Sequence, residues 1–219
     1  MINRVYYDAP VNPYKPIYIN ANDIEYTLKN IKGPEYHGLG QIKPGDWDDS
    51  EYLSNLEDSL VVKGISQRIE ESKGWEETVY YNYKLAEYNN EGGRFQHKGY
   101  DDPENYLRDR FDNIDDLINN IKSNGYKQGH SGERHEPYKT KQFSSKLEVL
   151  VSIDRKGRIH RYEGMHRLAI ARALDLEIPV QVVCRHKQWQ EFRDDIHNNG
   201  LSEEYQELRD HPDLQDILD

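Results

Sequence analysis

The segment "KLEVLVSIDRKGRIHRYEGMHRLAIARALDLEIPVQVV", residues 146–183, leaves few options for how this chain can fold. Leu147, Val149, Val151 and Ile153 alternate with more polar neighbours at the period of two that marks a strand. "DRKG" is a turn, and Arg158 to Glu163 return antiparallel. Gly164 ends that strand, and an alanine-rich helix over 165–174 follows at once. "IPVQVV" then gives a β-branched strand over Ile178–Val183. A hairpin, a tight glycine, a helix and another strand bury their apolar sides only as helix packed on sheet, which predicts an α+β fold.

The junction at Gly164 carries chemistry. Glycine lets the backbone turn sharply into the helix. The first helical N–H groups, around Met165 to Arg167, have no intrahelical acceptor and sit at the positive end of the helix dipole. Side chains of the first turn lean back toward the N-terminus, so His166 and Arg167 reach toward an anion bound there. A guanidinium grips phosphate through two N–H groups. "GMHR" therefore reads as a phosphate cradle, against the commoner case of first-turn residues that merely face water.

Elsewhere the signals are uneven. "PIYINANDIEYTL" predicts a short strand, Ile17 to Ile19, then a short helix capped by Asn22 with Glu25 closing a capping box. "HGLGQIKPGDWDD", 37–49, reads as loop. Residues 50–100 give one or two helices and a glycine-rich stretch, taken as an insertion. "DNIDDLINNIKSNGY" predicts a helix capped by Asp112 and stopped by Gly125, with Ile114, Leu117, Ile118 and Ile121 on one face. A polar loop follows. At the far end, Trp189, Phe192 and Ile196 at helical spacing predict a helix docked on the core, followed by an acidic stretch.

Hydrophobic residues are only 35% of the 219, and mean hydropathy is −1.03. The 17 tyrosines must therefore supply core material while finding partners for their hydroxyls. Cys184 is the one cysteine, which excludes a disulfide or a four-cysteine zinc site. The net charge of −11, from 29 Lys and Arg against 40 Asp and Glu, disfavours duplex DNA as a partner. No membrane span or signal-peptide pattern is legible, so a cytoplasmic protein is expected. "HSGERHE", with His130, Glu133, His135 and Glu136, and the pair Cys184 and His186 have metal-ligand side chains but no fixed ligand spacing; no metal site is assigned. Asp46 and Asp48 read as accessible carboxylates. Glu163 is either a base or magnesium ligand beside the cradle, or a strand carboxylate paired with Arg158 or Arg161.

The order of these pieces resembles the amino-terminal domain of ParB proteins and its sulfiredoxin and free-serine-kinase relatives. The matching residues are Ile17–Ile19, "DDLINNIKSNGY", "LEVLVSIDRKGRIHRYEG", "GMHR" and "IPVQVV". The resemblance covers 112–184 well, the start weakly and 50–100 not at all. It departs from sulfiredoxins in having Met165 where they carry cysteine, which rules out their thiol chemistry. About 35 residues follow the last core strand, too few for the helix-turn-helix and dimerisation regions of a partition protein. "SGERHE" imitates the ParB Gly-Glu-Arg-Arg box, but Pro137 and the missing apolar period oppose a helix there. Asp175 stands where relatives often have glycine, and Asp tolerates the left-handed conformation.

The resemblance implies a ParB/sulfiredoxin-like mixed sheet over 1–185. It carries an insertion at about 50–110, core motifs at 112–184, and a helical tail over 186–219. It implies a nucleotide, ATP or CTP with magnesium, held by Gly164, Met165, His166 and Arg167. Gln128 and His130 lie in the loop that approaches the nucleotide in such proteins. Glu163 and His166 are the catalytic candidates. The protein would be an NTP-dependent switch or a phosphotransferase acting on a small-molecule acceptor. The alternatives are a DNA-binding or nuclease protein, or an interaction module holding a structural anion.

Overall fold

The computed structural model describes residues 6–29, 39–89, 100–126 and 149–218. They form an α+β structure with a mixed seven-stranded sheet. The chain divides into two compact units: Met1–Asn55 with Gln128–Gly164 and Glu177–Asp219, and Leu56–Lys127 with Met165–Leu176.

The first unit holds the sheet. Its strands are β1 (Ile17–Asn20), β2 (Tyr26–Leu28), β3 (Gln41–Lys43), β4 (Leu53–Asn55), β5 (Leu150–Ile153), β6 (Ile159–Glu163) and β7 (Glu177–His186). The order is β1-β7-β5-β6-β2-β4, with β3 also on β7. β5 and β6 form the expected antiparallel hairpin, and β5 runs parallel to β7. All four residues of β5 are buried, so its burial does not alternate as the sequence's polarity does. β7 extends past the expected Val183 to His186, and everything from Ile178 onward is buried.

Four other expectations are corrected here. The helix expected after β1 is only a 3-10 turn, Ala21–Asp23, capped by Asn20 rather than Asn22. Tyr26–Leu28 is strand because it pairs with both β4 and β6, and pairing on two sides outweighs a local cap. The stretch 37–49, read as loop, contains β3, which pairs with Cys184–His186. Asp48 is 4% exposed rather than accessible, because Arg155 donates to it from its backbone N–H and its guanidinium.

Asp154 organises the hairpin turn. One carboxylate oxygen accepts the backbone N–H of Lys156 at 2.8 Å and of Arg158 at 2.9 Å. The other accepts from Arg158 Nε at 2.7 Å and meets His160 Nε2 at 3.0 Å. Gly157 closes the turn with φ 86°. A Cβ there would also lie 2.5 Å from the ring of Trp189.

Trp189 belongs to α5 (Lys187–Asn199), in which Trp189 and Ile196 of the expected stripe are buried and Phe192 is half-buried. The acidic segment beyond is more than a solvated tail. Asp213 is 2% exposed and accepts from Arg185 Nε at 2.9 Å and from Trp189 Nε1 at 2.9 Å. Arg193, with no exposed surface, lies 3.5 Å away. A short helix, α6 (Gln215–Leu218), follows, and its Asp216 takes Arg193 at 2.9 Å.

The second unit is helical: α1 (Leu60–Ile69), α2 (Val79–Asn89), α3 (Pro103–Asn124) and α4 (Met165–Ala173). α3 starts nine residues before the expected Asp112 cap, which lies inside the helix. Asp102 caps it, accepting from Glu104 N and Asn105 N, and Pro103 occupies the first turn, where its missing N–H costs nothing. Gly125 ends the helix with φ 71°, as expected. The apolar stripe of α3 packs Phe111 against Trp75 and Tyr80, at ring separations of 4.6 and 5.2 Å.

Two outcomes follow. Gly157→Ala combines a positive φ with a clash into Trp189, and should destabilise the first unit by at least about 2 kcal/mol in denaturant titration. Burial alone would raise the pKa of Asp213, but Arg185, Arg193 and Trp189 outweigh it and hold the carboxyl below its ordinary 3.8. A depressed carboxyl stabilises above its unfolded pKa, and that stability disappears as pH falls through the folded value. The first unit should therefore weaken below pH 3.8. Asp213→Asn should cost about 3–5 kcal/mol and flatten the acid limb.

Candidate functional site

Gly164 has φ 88° and α4 begins at the next residue, Met165. The small residues of "LAIARAL" let α4 pack closely, and Leu168 to Ala171 are buried. Within the second unit, the first turn of α4 meets side chains from α1, α2 and α3. Ser59 Oγ, at the start of α1, lies 4.0 Å from Met165 Sδ.

His166 is half-buried and its Nε2 is 3.0 Å from the hydroxyl of Tyr80, itself 2% exposed. Arg110, from α3, donates Nη2–H to the same hydroxyl at 2.9 Å, and Nη1–H to Tyr106 at 3.4 Å. The Tyr80 hydroxyl thus links Arg110 to His166.

Arg110 is the unusual member. Burial works against its charge, but the oxygens of Tyr80 and Tyr106 more than offset it, and the pKa is raised. Among the described residues no carboxylate lies within ion-pair distance of it, and its buried Nε has no hydrogen-bond partner. Phenol oxygens supply dipoles but no counter-charge.

Arg167 is 8% exposed, and its guanidinium sits 5.9 Å from the ring centre of Tyr126. Burial pushes the Tyr126 phenol up to about 12, with Arg167 opposing. The first turn of α4 thus unites Met165, His166 and Arg167 with Tyr80 and Arg110 in one unit.

The remaining candidates stand elsewhere. Glu163 is exposed at the end of β6 in the first unit; it makes no close ion pair with Arg158 or Arg161, though its charge favours that of Arg161 against the cost of burial. Arg158 goes to Asp154, and Arg161 Nε donates to Thr27 Oγ1 at 2.8 Å. Gln128 and His130 lie outside the described residues, as does "HSGERHE". Cys184 is buried, which raises its thiol pKa to about 12; His186 is buried too, bonded to Gly45 O at 2.8 Å. Among the described residues no group of three or more His, Cys, Asp or Glu could hold a metal. A magnesium ion held chiefly by phosphates needs only one or two protein carboxylates.

Sequence reasoning missed Tyr80 and Arg110. Tyr80 lies on α2, whose sequence has little apolar period. Arg110 was findable. It is four residues after Tyr106 and four before Ile114, so it falls on the buried stripe once α3 is extended back to Pro103.

No protein-family model, curated protein or solved structure matches the chain, so the functional argument rests on the chemistry of the residues themselves.

Tyr80→Phe keeps the ring contact with Phe111 but takes an acceptor from a charged donor. It should destabilise the second unit by about 1.5–3 kcal/mol in thermal denaturation. A variant as stable as wild type would mean the Arg110–Tyr80–His166 chain is unimportant to the fold.

Proposed function

We propose that the first turn of α4 binds the phosphate groups of a nucleoside triphosphate, ATP or CTP. In this reading the chain is a nucleotide-binding protein of the ParB-like kind, using the nucleotide as a switch. The observation that carries it is Arg110: a charged, half-buried guanidinium with no carboxylate in range, hydrogen-bonded through Tyr80 to His166. Its charge is met by phenol oxygens rather than by a carboxylate, so an anionic ligand nearby would supply the counter-charge. The α4 backbone N–H groups, the His166 ring and the Arg167 guanidinium are the further groups an oxyanion would use. Gly164, with φ 88°, immediately precedes α4 in the chain. Magnesium would bind with the phosphates.

DNA is the less favoured partner, given 29 cationic against 40 anionic side chains. Phosphoryl transfer would need a base, and the exposed Glu163 and the half-buried His166 are the groups to substitute if hydrolysis is detected.

The test is thermal stability with ATP, CTP and GTP, each with magnesium. At about one hundred times Kd a single site adds roughly 2.7 kcal/mol, a clear upward shift. Arg167→Ala should melt lower without nucleotide, because it empties a buried position, and lose most of the shift. Arg110→Met is more diagnostic. It removes the charge and its two phenol hydrogen bonds but keeps an apolar group of similar length on α3, so the free protein should remain folded while the shift is lost. No shift with any of the three nucleotides sinks the proposal.

A further inference from the structure

In the first unit, His211 stands where the C-terminal segment meets the β5–β6 hairpin turn, and each of its ring nitrogens has a partner with a single role. Nε2 lies 2.9 Å from the backbone oxygen of Gly157, which can only accept. Nδ1 lies 3.1 Å from the backbone N–H of Asp213, which can only donate. The ring proton is therefore on Nε2 and the Nδ1 lone pair is in use, so the ring seated here is neutral. Its face lies against the indole of Trp189, at a ring separation of 4.8 Å. A second proton has to go to Nδ1, where it turns the acceptor of the Asp213 N–H into a competing donor.

The surroundings oppose that proton. Arg185 from β7 is bound to Asp213, and Arg193 from α5 meets both Asp213 and Asp216, so two cations already face two carboxylates. A charged His211 adds a third cation to this set. On the hairpin turn, Lys156 and Arg158 flank Gly157, and the charge of Arg158 goes to Asp154 at 2.7 Å. Asp23, Glu25, Glu177 and Asp210 share the groove that His211 lines, but all four are exposed and screened by water. Burial is the largest influence. With Arg193 and Arg185 it outweighs the Gly157 oxygen and Asp213, and holds the ring's pKa below its ordinary 6.5.

We propose that His211 is a pH-responsive clasp, whose protonation releases the Asp213 N–H and loosens residues 208–218 from the hairpin turn and from Trp189. The seat matters because the residue it orients is the one whose carboxylate holds Arg185 and Arg193. A histidine with a depressed folded pKa contributes its full stability above 6.5 and loses it as pH falls below that value. Protonation of Asp213 itself needs pH below 3.8, so the two effects fall in separate ranges. The clasp lies wholly within the first unit and does not rest on the nucleotide reading.

The test is a titration of the full chain from about pH 8 to 5, the range in which histidine alone changes charge at its ordinary pKa. Imidazole nitrogen resonances should place the His211 proton on Nε2 at the upper end, with a midpoint below 6.5. Hydrogen exchange read by mass spectrometry, corrected for its intrinsic pH dependence, should show the protection of residues 208–218 falling severalfold across the titration. His211→Asn keeps a side-chain acceptor two residues before Asp213, as in an Asx turn, but does not titrate. Its protection should stay level over the same range. A midpoint at or above 6.5, a neutral ring protonated on Nδ1, or level protection in the wild type overturns the proposal. So does an equal fall in His211→Asn, which would put the titrating group elsewhere. Should His211→Asn not fold, the two wild-type readings decide alone.

Discussion

The first unit is built around the buried carboxylate of Asp213. Arg185 from β7 and Arg193 from α5 both carry positive charge into a dry interior, and either alone would oppose folding. Asp213 makes their burial tolerable, and Trp189 Nε1 completes its hydrogen bonding. That bond also fixes the indole, whose ring lies so close to the hairpin turn that only glycine fits at 157. From there Asp154 holds the turn and the buried ring of His160. One acidic side chain near the C-terminus is thus linked, contact by contact, to the hairpin at the centre of the sheet.

The second unit poses the same electrostatic problem and answers it differently. Arg110 is surrounded by aromatic residues and reaches only phenol oxygens. Where Arg185 and Arg155 each find a carboxylate, Arg110 finds Tyr80, and through it a histidine at the start of a helix. A guanidinium met by phenol oxygens and no carboxylate still gains from any state that brings an anion nearby. That gain is the physical content of the nucleotide proposal.

Much of the sheet was legible because its strands are punctuated locally. "DRKG" and Gly164 bracket β6, Ile178 to Val183 could only be strand, and Asp175 does adopt a positive φ, 50°. What failed were features decided by distant partners. β2 looked helical until β4 and β6 are placed on either side of it. β3 lay hidden in a stretch of turn residues. Asp48 looked accessible because Arg155, 107 residues away, was not visible as its partner. At the candidate site, Gly164, His166 and Arg167 could be read from their order along the chain. Arg110 and Tyr80 belong to it only by packing, and helix periodicity records which face is buried but not what a buried polar group meets there.

The interleaving of the two units sets the order in which they can form. The second unit needs nothing beyond Leu176, so it is complete while the C-terminal residues are still being synthesised. The first unit begins earlier and finishes last. β1 waits for β7, Tyr26 pairs across to His160, and Ala9 is held by Asp194, 185 residues away. Closing loops of that length before any contact repays them slows folding. During translation the first 55 residues therefore carry strands with unsatisfied edges for almost the whole length of the chain, and the interval before Asp213 arrives is when this protein is most exposed to aggregation.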